Sequence, residues 1–112
     1  MADVYEFPPV TEALLDEVVR GICSVGNPLK IVLFGSHARE EASRESDLDL
    51  LIIENSDLPR YKRAVPYLRA LKGVFPAKDV IVWTPDEVEK WANVRNAFIT
   101  TALIEGKTLY ER

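Results

Sequence analysis

Residues 30–53 constrain the fold more than any other stretch of the chain. Two apolar segments, residues 31–34 and 48–53, have the length and composition of β-strands. Between them lie Gly35-Ser36 and a charged connection that is long enough for one short helix. The second segment is apolar at both odd and even positions, which is typical of an interior strand that is covered on both faces. The stretch therefore predicts a β-sheet with other elements packed on its two sides.

Two carboxylates open the second predicted strand. Asp47 and Asp49 are two residues apart, so in an extended chain their side chains point to the same face. Carboxylates this close repel each other unless a cation lies between them or one of them keeps its proton. Mg²⁺, which prefers oxygen ligands, suits such a pair. The spacing predicts a metal site, and a solvated surface turn is the alternative interpretation.

Gly35-Ser36 predicts a second part of the same site. Glycine lets the backbone approach a ligand closely, and the N–H groups at the start of a helix bind phosphate. A tight turn with a helix cap is the alternative, and both interpretations can hold together. Arg39, three residues after Ser36, would lie on the same side of a helix and could touch phosphate, although a solvated arginine is nearly as good an interpretation. A phosphate-binding turn beside paired metal carboxylates indicates metal-dependent phosphoryl or nucleotidyl transfer.

The remaining segments predict helices and one further strand. Apolar residues at helical spacing predict a first helix from Glu12, after an N-cap at Thr11, to about Gly26. A second helix is predicted over residues 60–72, with Tyr61, Val65, Leu68 and Leu71 as its apolar residues, and Pro66 should kink or split it. Residues 79–83 predict a strand. A last helix is predicted to start after Thr84, to break near Asn93 and to stop at Gly106. The tail at residues 108–110 has no predicted place.

The order of these elements brings a third carboxylate to the same edge. Gly35-Ser36 can meet the aspartate pair only if the first two strands are antiparallel. The helix between the second and third strands favours parallel neighbours. Parallel pairing places Asp79, at the start of the third strand, beside the start of the second. The sequence therefore predicts three carboxylates and a phosphate turn at one edge of a mixed sheet, while a purely structural role at the strand end is the alternative for Asp79.

Length and composition restrict the class of protein. The 112 residues predict a single domain, residues 1–112, with a short leader at residues 1–9. A net charge of −4 argues against a direct nucleic-acid footprint. No apolar run approaches membrane-spanning length, so a cytoplasmic protein without membrane contact is expected. The sequence has no cluster of histidine and cysteine for zinc and no nucleophile with a partnering histidine.

The motifs of this chain resemble those of the nucleotidyltransferase superfamily typified by DNA polymerase beta. The string Gly35-Ser36-His37-Ala38-Arg39, followed by Ser46-Asp47-Leu48-Asp49-Leu50 and by a closing segment at residues 105–110, is similar to the minimal nucleotidyltransferase branch (MNT). Glu40 departs from that pattern, since many relatives have glycine there. The resemblance implies an α/β (α+β) fold with a mixed β-sheet of three or more strands flanked by helices.

The resemblance also implies roles for particular residues. It implies two Mg²⁺ ions and a nucleoside triphosphate donor, with Asp47 and Asp49 as metal ligands and Gly35 and Ser36 holding the triphosphate. Asp79 would be the third metal-ligating carboxylate and would draw the proton from an acceptor hydroxyl. Many members of the branch are antitoxins beside a HEPN-domain ribonuclease, and some adenylylate that partner on tyrosine.

These observations lead to the interpretation of the chain as a Mg²⁺-dependent nucleotidyltransferase. It would transfer AMP from ATP to a hydroxyl group, on a tyrosine of a HEPN-type toxin, and so act as an antitoxin. One alternative is a non-catalytic binding module that neutralises its partner by covering it. Another is transfer to a small molecule, for which a further domain would be wanted to close over the acceptor. The preferred base, the acceptor and the oligomeric state stay open at this point.

Overall fold

A computed structural model describes residues 10–35, 38, 47–74, 78–92, 94 and 98–112. Its elements in chain order are α1 (Glu12–Val25), β1 (Lys30–Phe34), β2 (Leu48–Ile53), α2 (Arg60–Arg63), α3 (Val65–Ala70), β3 (Lys78–Trp83), α4 (Pro85–Trp91), α5 (Phe98–Glu105) and β4 (Lys107–Glu111). The predicted leader at residues 1–9 and the short helix predicted after Gly35 lie outside the described residues. No helix in the described ranges is long and apolar enough to cross a membrane.

The four strands form one mixed sheet in the order β3-β2-β1-β4. β1 pairs antiparallel with both β2 and β4, and β2 pairs parallel with β3. The predicted α/β fold, a mixed sheet flanked by helices, is confirmed. The position of β4 at the edge beside β1 is new information, because its short segment carries no clear alternation of apolar residues.

The first helix follows the predicted bounds. The side chain of Thr11 accepts a hydrogen bond from the N–H of Leu14, which satisfies one of the unpaired donors at the helix start. At the other end the N–H of Gly26 donates to the carbonyl of Ile22. The buried residues of α1 recur at three- and four-residue steps, so one side of the helix packs on the sheet: Leu15, Val18 and Ile22.

Strand β2 is buried on both faces, as its sequence predicts. On the first face its side chains join a core with α1 and α3, which includes Leu48, Leu50, Ile52, Tyr67 and Leu71. On the second face they join a smaller core with α5, which includes Leu51, Ile53, Ile99 and Ala102. The sheet therefore has helices on both sides. The second face is also the one that carries Asp49, because side chains alternate along a strand.

The connection between β2 and β3 is split into two short helices. α2 ends at Arg63 and α3 begins at Val65, just before Pro66, so the predicted split at this proline is confirmed. The apolar residues Tyr61, Val65 and Leu68, which made this segment look like an ordinary amphipathic helix, are exposed. The side chains of the segment that enter the interior are Arg63, Tyr67 and Leu71. These lie four residues apart and therefore on one side of the chain.

Arg63 joins α2 and α4 to the far end of β3. Its guanidinium donates to Glu87 at 2.7 Å, to the carbonyl of Val82 at 3.3 Å and to the carbonyl of Leu58 at 2.9 Å. Glu87 in turn completes the predicted capping box at the start of α4, since its carboxylate accepts from the N–H of Thr84 while the Thr84 hydroxyl accepts from the N–H of Glu87. The Glu87 carboxylate thus accepts hydrogen bonds both from the start of α4 and from the buried Arg63. The sequence pattern predicts the helix cap but not the burial of Arg63.

Removal of the Glu87 charge is expected to destabilise the fold in a pH-dependent way. The hydrogen bond from Arg63, with those from Thr84 and Arg60, lowers the pKa of Glu87 from 4.5 to about 2. Its stabilisation is therefore complete above about pH 4.5 and is lost as the pH falls through about 2. Since Arg63 would keep its buried charge, we expect Glu87→Gln to cost ~2 kcal/mol at neutral pH, after allowance for partial exposure.

Thermal unfolding measures this effect. A loss of ~2 kcal/mol corresponds to a fall in Tm of about 8 °C for a domain of this size. The difference between wild type and Glu87→Gln should shrink as the pH is lowered from 4.5 towards 2. Glu89→Gln is the matched control, because Glu89 is an exposed residue of the same helix. Equal Tm changes in the two variants would contradict the role given to Glu87.

Candidate functional site

The parallel pairing of β2 and β3 places two aspartates side by side. Asp49 and Asp79 are register partners. Neighbouring strands lie about 4.8 Å apart and register partners point to the same face, so both carboxylates belong to the second face of the sheet. Asp47 directly precedes β2 and is exposed. The three predicted carboxylates therefore lie at one edge of the sheet, at the start of two parallel strands.

The end of β1 meets the same edge. Phe34 is the register partner of Asp49 in the antiparallel pair of β1 and β2. The next residue, Gly35, has φ = 75°, a left-handed backbone conformation that a residue with a side chain rarely adopts. A Cβ atom on Gly35 would also collide with the carboxylate of Asp49. Glycine is thus required here for two reasons, and it lets the backbone turn directly beside the aspartates.

Two predicted site residues lie outside the described part of the chain. Ser36 and Arg39 follow Gly35, and their roles at phosphate stay predictions. Ala38, which is described, donates its N–H to the carbonyl of Gly35 at 3.1 Å. This hydrogen bond holds Ala38 close to the end of β1.

The carboxylates suit a Mg²⁺ ion that is shared with a phosphate group. Asp47 and Asp79 are exposed and Asp49 is partly buried. Among the residues that the structure describes, no three acidic, histidine or cysteine side chains are grouped as a ready metal cluster. Mg²⁺ in phosphate chemistry is typically held by one or two carboxylates, by substrate oxygens and by water, so a complete protein cage is not needed. The donor set at this edge fits that mode of binding.

Lys78, at the start of β3, lies on the opposite face from these aspartates. Its register partner is Leu48, whose side chain belongs to the first face. The Lys78 amine donates a hydrogen bond to the carbonyl of Val74, after α3. Burial lowers the pKa of Lys78, and the nearby charge of Glu17 opposes this effect. Lys78 therefore belongs to the packing of the first face.

An open cavity lies beside the Gly35 turn, on the second face. It encloses about 330 Å³, including space open to solvent, between the end of β1 and one side of α5. Its walls among the described residues are Phe34, Gly35, Phe98, Thr101, Ala102 and Glu105. The rings of Phe34 and Phe98 are 5.2 Å apart in an edge-to-face arrangement. Sequence reasoning did not find this cavity, although the spacing of Phe98, Thr101 and Glu105 places them along one side of a helix.

A glycine turn and carboxylates at the edge of a mixed sheet define the class of protein. The fold is that of polymerase beta-type nucleotidyltransferases. The chain belongs to the nucleotidyltransferase domain family, whose pattern it matches over residues 15–104. No curated protein sequence matches the chain.

Three solved structures illustrate the similarity. A crystal structure of a toxin–antitoxin with AMP-PNP is 18% identical with a TM-score of 0.59 and covers 92% of this chain and 75% of that chain. A nucleotidyltransferase structure from Sulfolobus solfataricus is 20% identical with a TM-score of 0.55 and covers 90% of this chain and 77% of that chain. A mutant of the toxin–antitoxin MntA-HpeT is 16% identical with a TM-score of 0.58 and covers 92% of this chain and 75% of that chain. At these identities the three matches show a shared fold.

Proposed function

We propose that this chain is a Mg²⁺-dependent nucleotidyltransferase that transfers AMP from ATP to a tyrosine hydroxyl of a HEPN-type toxin, and that it acts as the antitoxin. One observation carries the proposal. Asp49 and Asp79 are register partners on neighbouring strands, and the carboxylate of Asp49 lies directly against the backbone of Gly35. In a nucleotidyltransferase domain, this edge of the sheet joins carboxylates for a metal ion to a turn that leaves room for phosphate.

Each residue of this edge has a chemical role in the proposal. Asp47 and Asp49 hold Mg²⁺, while Gly35, Ser36 and Arg39 hold the triphosphate. Two bound Mg²⁺ ions would neutralise the charge that develops on the attacking and leaving oxygens.

Asp79 completes the set of carboxylates. It is a metal ligand, and its carboxylate takes the proton from the acceptor hydroxyl as the new bond to the α-phosphorus forms and pyrophosphate leaves. Its place on β3 suits this role, because β3 is an outer strand of the sheet that the described residues form and the acceptor can approach from outside that sheet.

Two structural neighbours support ATP as the donor and a toxin as the partner. One is a toxin–antitoxin with AMP-PNP, an analogue of ATP. The other is an MntA-HpeT toxin–antitoxin mutant with glutamate in place of two aspartates that are two positions apart, the spacing of Asp47 and Asp49. The described surface of this chain also exposes apolar side chains that a partner could cover, among them Trp91, Val94 and Ile104.

Labelled ATP tests the proposal directly. When the purified pair is incubated with Mg²⁺ and ATP labelled at the α-phosphate, the partner protein should become labelled on tyrosine while this chain does not. Omission of Mg²⁺ should remove the label, and mass spectrometry should find the added mass of AMP on the partner. A pair that forms and silences the toxin without any label would support the non-catalytic binding module instead. Absence of a complex would contradict the proposed partner.

A further inference from the structure

We propose that the cavity between β1 and α5 is the pocket for the base of the donor nucleotide, and that it selects adenine over uracil. The inference rests on the proposed function, since it concerns the same ATP molecule. It goes further because it gives the base of that nucleotide a place among named residues of this chain.

The cavity is in the right place for a nucleotide that is anchored on the aspartates. Gly35 belongs both to the cavity wall and to the turn that presses on the Asp49 carboxylate. Phe34, the wall residue that precedes Gly35, is the register partner of Asp49. A nucleoside whose phosphates lie at Asp49 therefore has the cavity directly beside it, on the same face of the sheet.

The α5 wall is formed by one side of a helix. Ile99 and Ala102 are buried against the sheet and hold α5 in place. Phe98, Thr101 and Glu105 lie along the side that borders the cavity. Gly106 then lets the chain turn from α5 into β4, because a Cβ there would collide with Val32 and with the carbonyl of Ala102. The helix wall is thus fixed at both ends of its contact with β1.

The wall chemistry fits an aromatic base with an amino group. Phe34 and Phe98 offer apolar ring surface, and Phe98 remains 42% exposed, so a flat ring can still cover it. The Thr101 hydroxyl can both donate and accept a hydrogen bond, whereas the Glu105 carboxylate only accepts. Adenine offers an amino donor next to a ring-nitrogen acceptor, which matches this pair. Uracil offers a carbonyl oxygen at the corresponding position, which a carboxylate would repel.

This placement also separates the base from the acceptor. In the strand order β3-β2-β1-β4, Asp49 lies on β2, the cavity adjoins β1 and Asp79 lies on β3. The base and the acceptor hydroxyl would therefore approach the phosphate from opposite sides of Asp49. A tyrosine that enters at β3 does not compete with a base bound at β1.

Calorimetry with two ligands separates this pocket from the phosphate site. We expect Phe98→Ala to weaken binding of Mg-ATP about tenfold, the usual effect of one lost base–aromatic stack, and to leave binding of Mg-tripolyphosphate unchanged. Ile104→Ala is the control, because Ile104 is an exposed apolar residue of α5 outside the cavity wall. It should change neither affinity. Circular dichroism would confirm that both variants remain folded.

Each other outcome of this titration has a definite meaning. Equal losses for both ligands in Phe98→Ala, or no loss for either, would overturn the base pocket. Binding of ATP that depends on Phe98, without any binding of tripolyphosphate to wild type, would support the pocket while it removes the proposed phosphate site. Failure of wild type to bind ATP at all would overturn both proposals.

The ratio of ATP to UTP affinity gives a second, independent test of the pocket, through the exposed residue Glu105. In competition between ATP and UTP, Glu105→Ala should reduce the preference for ATP about tenfold, because the charged acceptor for the amino group is lost. Glu105 is exposed, so the variant should fold normally. Glu89→Ala on α4 serves as the charge-matched control. An unchanged ratio of ATP to UTP affinity in Glu105→Ala would overturn the proposed selection of adenine.

Discussion

An Asp47→Asn, Asp49→Asn double variant is expected to transfer nucleotide about a thousandfold more slowly than the wild type. Metal ions contribute several kcal/mol to such reactions by stabilising charge in the transition state, and asparagine cannot replace the anionic ligands that hold them. The initial rate of label transfer from ATP to the partner protein measures this. Asp57→Asn is the control for loss of a surface carboxylate, since Asp57 is exposed beyond the other end of β2.

The double variant should remain folded. Asp47 is exposed, and replacement of two neighbouring carboxylates by neutral amides removes repulsion between them. Circular dichroism of the variant should show a folded protein before its transfer rate is compared with that of the wild type. A folded variant that transfers nucleotide within a few-fold of the wild-type rate would remove the two aspartates from the proposed mechanism.

Asp79→Asn is expected to separate binding from chemistry. As the acceptor of the hydroxyl proton, Asp79 acts in the transfer step, so its loss should slow transfer by about 10²- to 10⁴-fold. The affinity for Mg-ATP should stay within a few-fold of wild type, because Asp47 and Asp49 remain. Transfer rate and calorimetric affinity measured on one preparation test both halves of this expectation. Asp86→Asn, an exposed aspartate of α4, is the control.

Two results would contradict the role of Asp79. Transfer at the wild-type rate would make it a structural residue at the start of β3. Loss of Mg-ATP binding together with transfer would instead make it a nucleotide-binding ligand of the same kind as Asp49. Its position opposite Asp49 in the parallel register permits either chemistry, so the comparison of rate with affinity decides between them.

The features that could be predicted from the sequence are those set by local patterns and by chain connectivity. β2 is apolar on both faces, which predicts an interior strand, and the structure buries it between α1 and α5. The helical connection from β2 to β3 predicts parallel pairing, and this pairing alone places Asp79 beside Asp49. The position of Asp79 beside Asp49 was therefore predictable, because it follows from the order of the strands and helices along the chain.

The features that could not be predicted depend on contacts between distant segments. Arg63 lies in a segment whose apolar residues suggested a different buried side. The carboxylate of Glu87, together with the carbonyls of Leu58 and Val82, makes its burial favourable. The cavity needs Phe34 from β1 and Phe98 from α5 to meet, which no local pattern encodes. Likewise β4 is held by its pairing with β1 rather than by a strong pattern of its own.

The central claim is that the Asp47–Asp49 edge binds a nucleotide through Mg²⁺, and titration of ATP into the wild-type protein tests it most directly. Without an ion the carboxylates and the triphosphate repel each other, so calorimetry should detect binding with Mg²⁺ and little or none with EDTA. In the Asp47→Asn, Asp49→Asn variant, Mg²⁺ should no longer increase the affinity for ATP. Equal ATP affinity with and without Mg²⁺, or an unchanged affinity in the double variant, would contradict the claim.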